Sequence, residues 1–218
     1  MKAMILAAGR GERLRPLTDE LPKALVEVRG ETLLERHLRK LRDAGIESVV
    51  INLGWLGERI ADRVGSGEAF GLDVTYSDER GDVLETGGGI HKALPLLGDG
   101  PFLVVNADVY TDMPVPEALP ADDHLGHLVM VPTPGYRDRG DFDVVDGLVR
   151  NGERPAFTFS GVAVYRPELF DGCEAGRFPL APVLREAADD GLLSGSVYDG
   201  LWADIGTPER LASLIVSE

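Results

Sequence analysis

The 218-residue chain predicts an α/β fold: a Rossmann-like, doubly wound, mostly parallel mixed sheet with flanking helices. Three observations carry this expectation. Apolar runs of strand length alternate with helical periodicity through the first half. Several runs are apolar at consecutive positions, as strands covered on both faces must be. Glycine clusters follow or precede such runs, where an α/β sheet changes from strand to loop or helix.

Residues 1–8 (MKAMILAA) form a nearly continuous apolar run and read as a buried parallel strand. Residues 9–22 have the glycine, arginine and proline content of a long functional loop. In residues 32–44 (TLLERHLRKLRDA), Leu33, Leu34, Leu38 and Leu41 fall on one helical face, and Gly45 stops the helix. The charges at 35–42 read as a solvated face and His37 as a surface residue. A strand at 48–53 completes a βαβ unit. A helix at 56–64, a strand at 73–77, a glycine-led helix at 88–97 and a strand at 102–106 continue the alternation. The second half is less regular, with strands expected at 127–131, 143–145 and 157–165 and helices at 182–190 and 211–216. No linker, repeat or low-complexity tract divides the chain. A single domain over 1–218 is therefore expected, with residues from about Tyr110 onward building a lid or acceptor side.

Composition narrows the partners. At 44% apolar residues the chain can bury a sizeable core. Its 22 basic against 37 acidic residues give a formal charge of −15, which repels a polyanion and argues against nucleic acid. A small phosphorylated ligand is still compatible, because a locally basic pocket with a divalent cation can hold it. Cys173 is the only cysteine, so neither an intrachain disulfide nor a thiolate zinc cluster can form, which suits a cytoplasmic location. No stretch approaches the roughly 20 apolar residues of a membrane span. The expectation is a monomer or small homo-oligomer without membrane partners.

Four segments could carry chemistry. The first is LAAGRGERLRPLT at 6–18, followed by Pro22-Lys23. Small residues after a buried strand let the backbone at Ala8, Gly9, Gly11 and Glu12 approach an anion, and Arg13 and Lys23 could neutralise separate phosphates. Taken alone, a sharp turn with solvated arginines describes the glycines equally well. It is neither a Walker loop nor a dinucleotide fingerprint, since it lacks the Gly-Lys-Ser/Thr of one and the third glycine of the other. The second is LETGGGI at 84–90, where glycines could admit a planar base and Thr86 and Gly88 could meet its edge; a flexible helix entrance is the alternative. The third is VVNADV at 104–109, a strand ending in Asp108. With Asp204 of WADIGTP at 202–208 it could hold Mg2+, a hard cation that carboxylates suit, although either Asp could simply end a strand. The fourth pairs Gly140-Asp141-Phe142 with FTFSG at 157–161, whose polar groups beside aromatic rings suit a sugar but also describe a turn and a strand.

Together these segments resemble the sugar-1-phosphate nucleotidyltransferases over nearly the whole chain. The resemblance implies the nucleotide-diphospho-sugar transferase type of fold, with a nucleoside triphosphate and a sugar 1-phosphate as partners. By position it makes Arg13 and Lys23 catalytic, Arg13 on the departing pyrophosphate and Lys23 on the α-phosphate. It places the base near Thr86 and Gly88, Mg2+ on Asp108 and Asp204, and the sugar against Asn106, Asp141, Ser160 and Gly161. RGDF, FTFSG, ETGGG and WADIGT are most similar to the short, catalytic-domain-only uridylyltransferase branch. That similarity implies UTP and N-acetylmuramate 1-phosphate as substrates, in cell-wall sugar recycling. Two alternatives stand beside it: a mannose- or glucose-1-phosphate enzyme using GTP, dTTP or UTP, and a non-catalytic nucleotide- or sugar-phosphate-binding regulatory module. The presence together of Arg13, Lys23, Asp108 and Asp204 favours catalysis over the latter.

Overall fold

The computed structural model describes residues 1–82, 84–116 and 121–216. The first half runs β1 (Lys2–Leu6), α1 (Leu17–Glu20), β2 (Glu27–Val28), β3 (Glu31–Thr32), α2 (Leu33–Asp43), β4 (Ser48–Leu53), α3 (Gly57–Val64), β5 (Asp73–Asp78), α4 (Glu85–Leu97) and β6 (Phe102–Asn106). The second half adds β7 (Val109–Thr111), β8 (Gly126–Pro132), β9 (Asp143–Val145), β10 (Leu148–Arg150), β11 (Phe157–Tyr165), α5 (Leu180–Asp189), β12 (Leu193–Val197), β13 (Trp202–Asp204) and α6 (Pro208–Val216).

Nine strands form one sheet in the order β5-β4-β1-β6-β11-β8-β12-β10-β9. β5, β4, β1 and β6 are mutually parallel. β11 runs against β6 and β8, β12 is parallel to β8, and β10 runs against β12 and β9. All strands except β11 and β10 therefore share one direction, and the sheet is mostly parallel and mixed, as expected. From β1 the chain builds β4 and β5 on one side, then crosses back to place β6 on the other. The strand order thus reverses between β1 and β6, the position where open α/β sheets hold ligands beyond the carboxyl ends of their strands.

Both faces of the sheet are covered, which is why its central strands are continuously apolar. Alternate residues of β1 separate cleanly: Ala3 and Ile5 join the core under α2 and α3, and Met4 joins the core under α4 and α5. A third, smaller cluster, including Leu14, Val26, Tyr110, Ile205 and Leu214, ties the N-terminal loop to the β7–β13 ribbon and α6.

Several sequence expectations are corrected. Residues after Tyr110 continue the same sheet through β8 to β12, with β7 and β13 pairing beside it. α4 begins at Glu85, so the glycines of ETGGG lie inside its first turns. There they are buried, and a Cβ on Gly88 would collide with the Gly176 carbonyl. The glycines let α4 approach the 176–178 segment closely, and the Gly88 N–H donates to the Phe178 carbonyl at 3.0 Å. β10 and β12 escaped the pattern because LVR is very short and LSGSV has no apolar run; pairing with neighbours, not local preference, makes them strands.

α2 starts at a capping box, with Thr32 accepting from the Glu35 N–H and Glu35 accepting from the Thr32 N–H. His37 is buried at 4% exposure, not on the surface, because it lies one helical turn from both Leu33 and Leu41 on the inner face. The charged face is not simply solvated either. Arg36 donates to the Thr111 carbonyl at 3.1 Å and stacks on Tyr110, and Lys40 donates to the Thr111 and Met113 carbonyls at 3.0 and 2.5 Å. Burial, with the Lys40 charge beside it and Arg36 further contributing, depresses the His37 pKa from 6.5 to about 4, against a smaller opposing contact with the Val109 backbone.

Gly88→Ala is expected to destabilise the fold by about 1–3 kcal/mol, because the obstacle is backbone and cannot rotate away; urea unfolding measures this. His37 stays neutral in the folded chain, while the unfolded chain takes up a proton below pH 6.5. Its contribution is thus complete above pH 6.5 and is lost as the pH falls towards about 4, by on the order of 3 kcal/mol. His37→Phe should flatten the unfolding free energy across that window, and an unchanged slope would refute the assignment.

Candidate active site

The loops that leave β1 and β6 face each other across a cleft of about 700 Å³. β1 and β6 pair in parallel with Leu6 opposite Asn106, and the Ala107 N–H donates to the Leu6 carbonyl at 3.1 Å. Residues 6–11 and 106–108 line the cleft together with Lys23 and Thr86. The structure therefore gathers Ala8, Gly9, Gly11, Lys23, Thr86, Asn106 and Asp108 of the residues expected at the site.

The phosphate-loop segment is held from outside. The Thr18 hydroxyl donates to the Gly11 carbonyl at 2.8 Å, and the Trp55 indole N–H donates to the Thr18 carbonyl at 2.9 Å. The Trp55 amide reaches the Ala8 carbonyl at 3.2 Å, and the Arg10 guanidinium stacks 4.5 Å from its ring centre. At the cleft floor Lys23 is ion-paired to Asp108, both side chains being only partly exposed. The pair bridges the loop after β1 and the turn after β6.

Asp204 lies at the end of β13, opposite Val109 of β7 and so beside Asp108 in space; the Ile205 N–H donates to the Asp108 carbonyl at 2.8 Å. Its carboxylate receives Arg210 at 2.7 and 2.8 Å and the Tyr136 phenol. Burial, and then the Asp204 carboxylate, push the Tyr136 pKa up to about 12, so the phenol remains a donor. Arg13 is not on the cleft wall. It lies against Gly206, where a Cβ would sit 3.1 Å from its terminal nitrogen, and so borders the Asp204 segment. Glu12 is exposed and opens the short turn Glu12–Leu14.

On the acceptor side, Asp141 accepts the Phe159 N–H at 2.9 Å and Arg137 at 3.3 Å. Ser160 and Gly161 occupy a bulge in β11, between its pairings at Phe159 and Val162. The Ser160 hydroxyl is buried and accepts the Val162 N–H at 3.1 Å, so it stabilises the bulge and does not open towards the cleft. Gly161 has φ +80°, and a Cβ there would sit 2.6 Å from the Asn106 amide nitrogen. It lets Asn106 pack where it can face the cleft. Gly88 is buried, with its N–H donated to the Phe178 carbonyl and its Cβ side closed by Gly176.

Sequence reading missed part of the cleft wall. Asn52 at the end of β4 accepts the Ala7 N–H at 2.6 Å and donates to Glu79 at 2.8 Å. Burial raises the Glu79 pKa. Trp55, Arg10 and Arg80 also border the cleft. Asn52 and Glu79 end strands β4 and β5 or follow them, and that position in the sheet was the available signal.

Asp108 and Asp204 fit a hard divalent cation. Each carboxylate is paired with a cationic side chain, Asp108 with Lys23 and Asp204 with Arg210, and no group of three or more acidic, His or Cys ligands occurs among the described residues. Two carboxylates, completed by waters and substrate phosphates, are the usual protein contribution for magnesium.

The nucleotidyl transferase family model matches residues 2–147. The chain is 50% identical to N-acetylmuramate alpha-1-phosphate uridylyltransferase of Neisseria meningitidis serogroup B, over 97% of this chain and 95% of that protein. It is 38% identical to the protein of the same name from Caulobacter vibrioides, over 95% and 92%. A Bacillus anthracis structure assigned as a glucose-1-phosphate thymidylyltransferase superposes with a TM-score of 0.88 at 19% identity, covering 99% of this chain and 94% of that one. A UDP-glucose pyrophosphorylase bound to UDP-glucose superposes with a TM-score of 0.76 at 16% identity, over 98% and 96%. Among the described residues no helix is long and apolar enough to cross a membrane. With an anion loop and a carboxylate turn meeting at the reversal point of the sheet, and relatives matched end to end, the chain belongs to the sugar-1-phosphate nucleotidyltransferases.

Proposed function

We propose that the chain transfers a uridylyl group from UTP to N-acetylmuramate 1-phosphate, giving UDP-N-acetylmuramate and pyrophosphate, with Mg2+, in cell-wall sugar recycling. The observation that carries the chemistry is the Lys23–Asp108 pair, which sets a cation and a metal-binding carboxylate at one point between the β1 and β6 loops. The choice of sugar and base is supported by the names of the two full-length relatives.

The acceptor phosphate is already anionic at neutral pH, so no protein nucleophile or general base is required. One of its oxygens attacks the α-phosphorus in line, and the bond from that phosphorus to the bridging oxygen of the β-phosphate breaks. The enzyme's work is to align two anions and offset the charge that builds up between them. Lys23, at the cleft floor, serves the reacting phosphate, and the backbone of residues 8–12 with Arg13 takes the leaving pyrophosphate. A magnesium ion on Asp108 and Asp204 would add positive charge at the phosphate oxygens. Thr86 would meet the base, and Asn106 and Asp141 the sugar.

Pyrophosphate release measured over a panel of UTP, dTTP, GTP, N-acetylmuramate 1-phosphate, glucose 1-phosphate and mannose 1-phosphate tests this reading. UTP with N-acetylmuramate 1-phosphate should give the highest kcat/KM, and a poor rate with UTP would overturn it. Nucleotide binding without turnover on any pair would instead identify a regulatory module. Lys23→Ala should lower kcat about 10²–10³-fold with little change in melting temperature, since its ion pair is partly solvated. Chelation of divalent ions should abolish turnover and leave the circular dichroism unchanged, with added Mg2+ restoring the rate.

A further inference from the structure

The acceptor proposed above differs from N-acetylglucosamine 1-phosphate by one group, a lactyl ether ending in a carboxylate that is ionised at neutral pH. Selecting it requires a cation on the sugar side of the cleft, separate from those that face the phosphates. A guanidinium is the best-suited group, since its planar fork matches a carboxylate with two parallel hydrogen bonds.

We propose that Arg137 reads this lactyl carboxylate and is the specificity residue for the acid-bearing sugar. The inference rests on the substrate reading of the preceding section. Arg137 lies in the segment joining β8 to Asp141, and the turn is closed by its own N–H donating to the Pro134 carbonyl at 2.9 Å. At the far end of the segment the Asp141 N–H donates to the Phe157 carbonyl at 2.6 Å, and near its tip Tyr136 is tied to Asp204. The segment therefore spans from the acceptor-side carboxylate to the metal-side carboxylate, with Arg137 between them.

Arg137 holds both of its carboxylate partners loosely. Its guanidinium meets Asp141 at 3.3 Å and Asp204 only at 3.9 Å, with its side chain 36% exposed. The Asp141 oxygen it touches already accepts the Phe159 N–H. Arg210, by contrast, is committed to Asp204 through bonds of 2.7 and 2.8 Å and is stacked 3.7 Å from the Tyr136 ring centre. Arg13 lies against Gly206. Arg137 can thus exchange a long contact with Asp141 for a short bidentate one with a substrate carboxylate, while its loop remains tied at Tyr136.

The test compares kcat/KM for N-acetylmuramate 1-phosphate and N-acetylglucosamine 1-phosphate, at saturating UTP, in the wild type, Arg137→Ala and Arg137→Lys. Arg137→Ala should lose roughly 10- to 100-fold on the muramate substrate, mainly through KM, and stay within about twofold on the glucosamine substrate. Arg137→Lys should recover part of the loss. Equal losses on both sugars, or no loss, would overturn the role of Arg137 while leaving the substrate reading intact. A wild type that does not prefer the acid-bearing sugar would overturn the substrate reading and this assignment with it.

Discussion

The parallel pairing of β1 with β6 is the constraint on which the site depends. Adjacent parallel strands lie about 4.8 Å apart and end at the same edge of the sheet, so the loops that follow them emerge side by side. With Leu6 opposite Asn106, the loop at 8–11 and the turn at 106–108 must share one cleft. A slip of one residue would turn Met4 and Val104 towards the wrong core and separate Lys23 from Asp108. The two apolar cores, by fixing the register, also fix the chemistry.

Charge is organised on two scales. The chain carries a net −15, yet Arg10, Lys23 and Arg80 border the cleft, and Arg13, Arg137 and Arg210 gather near Asp204 or Gly206. Screening over about 8 Å at physiological salt makes the local cations, and not the distant acidic surface, decide whether a triphosphate is held. Most of these cations already rest on a carboxylate or an aromatic ring. The side chains are thereby held near their working positions, and the carboxylates are kept neutralised in pairs.

α2 contributes from outside the cleft. Arg36 and Lys40 hold the carbonyls of Thr111 and Met113, and Leu33 packs in the cluster that contains Tyr110 and Ile205. The ribbon of β7 and β13 places Asp204 beside Asp108, so a helix that looks like a solvated amphipathic element supports the position of these two carboxylates. Alternation of charge along α2 could not reveal this, because a carbonyl acceptor comes from a segment some seventy residues away. Only the position of His37, one turn from two leucines, was open to reading from the periodicity.

The sequence by itself determined the α/β class, the central strands and the motifs at Gly9 to Lys23, Asp108 and Asp204, because these are local: apolar runs, glycine before arginine, a carboxylate after a strand. The tertiary structure decided the rest. It packed Gly88 against the 176–178 segment and bonded the Ser160 hydroxyl within the β11 bulge to the Val162 N–H. It made strands of β10 and β12, whose residues have no strong preference of their own, and joined them to the main sheet. It also added Asn52, Glu79, Trp55 and Arg137 to the neighbourhood of the cleft. Nothing local marks these residues, because their roles come from which strand ends and loops the fold brings together.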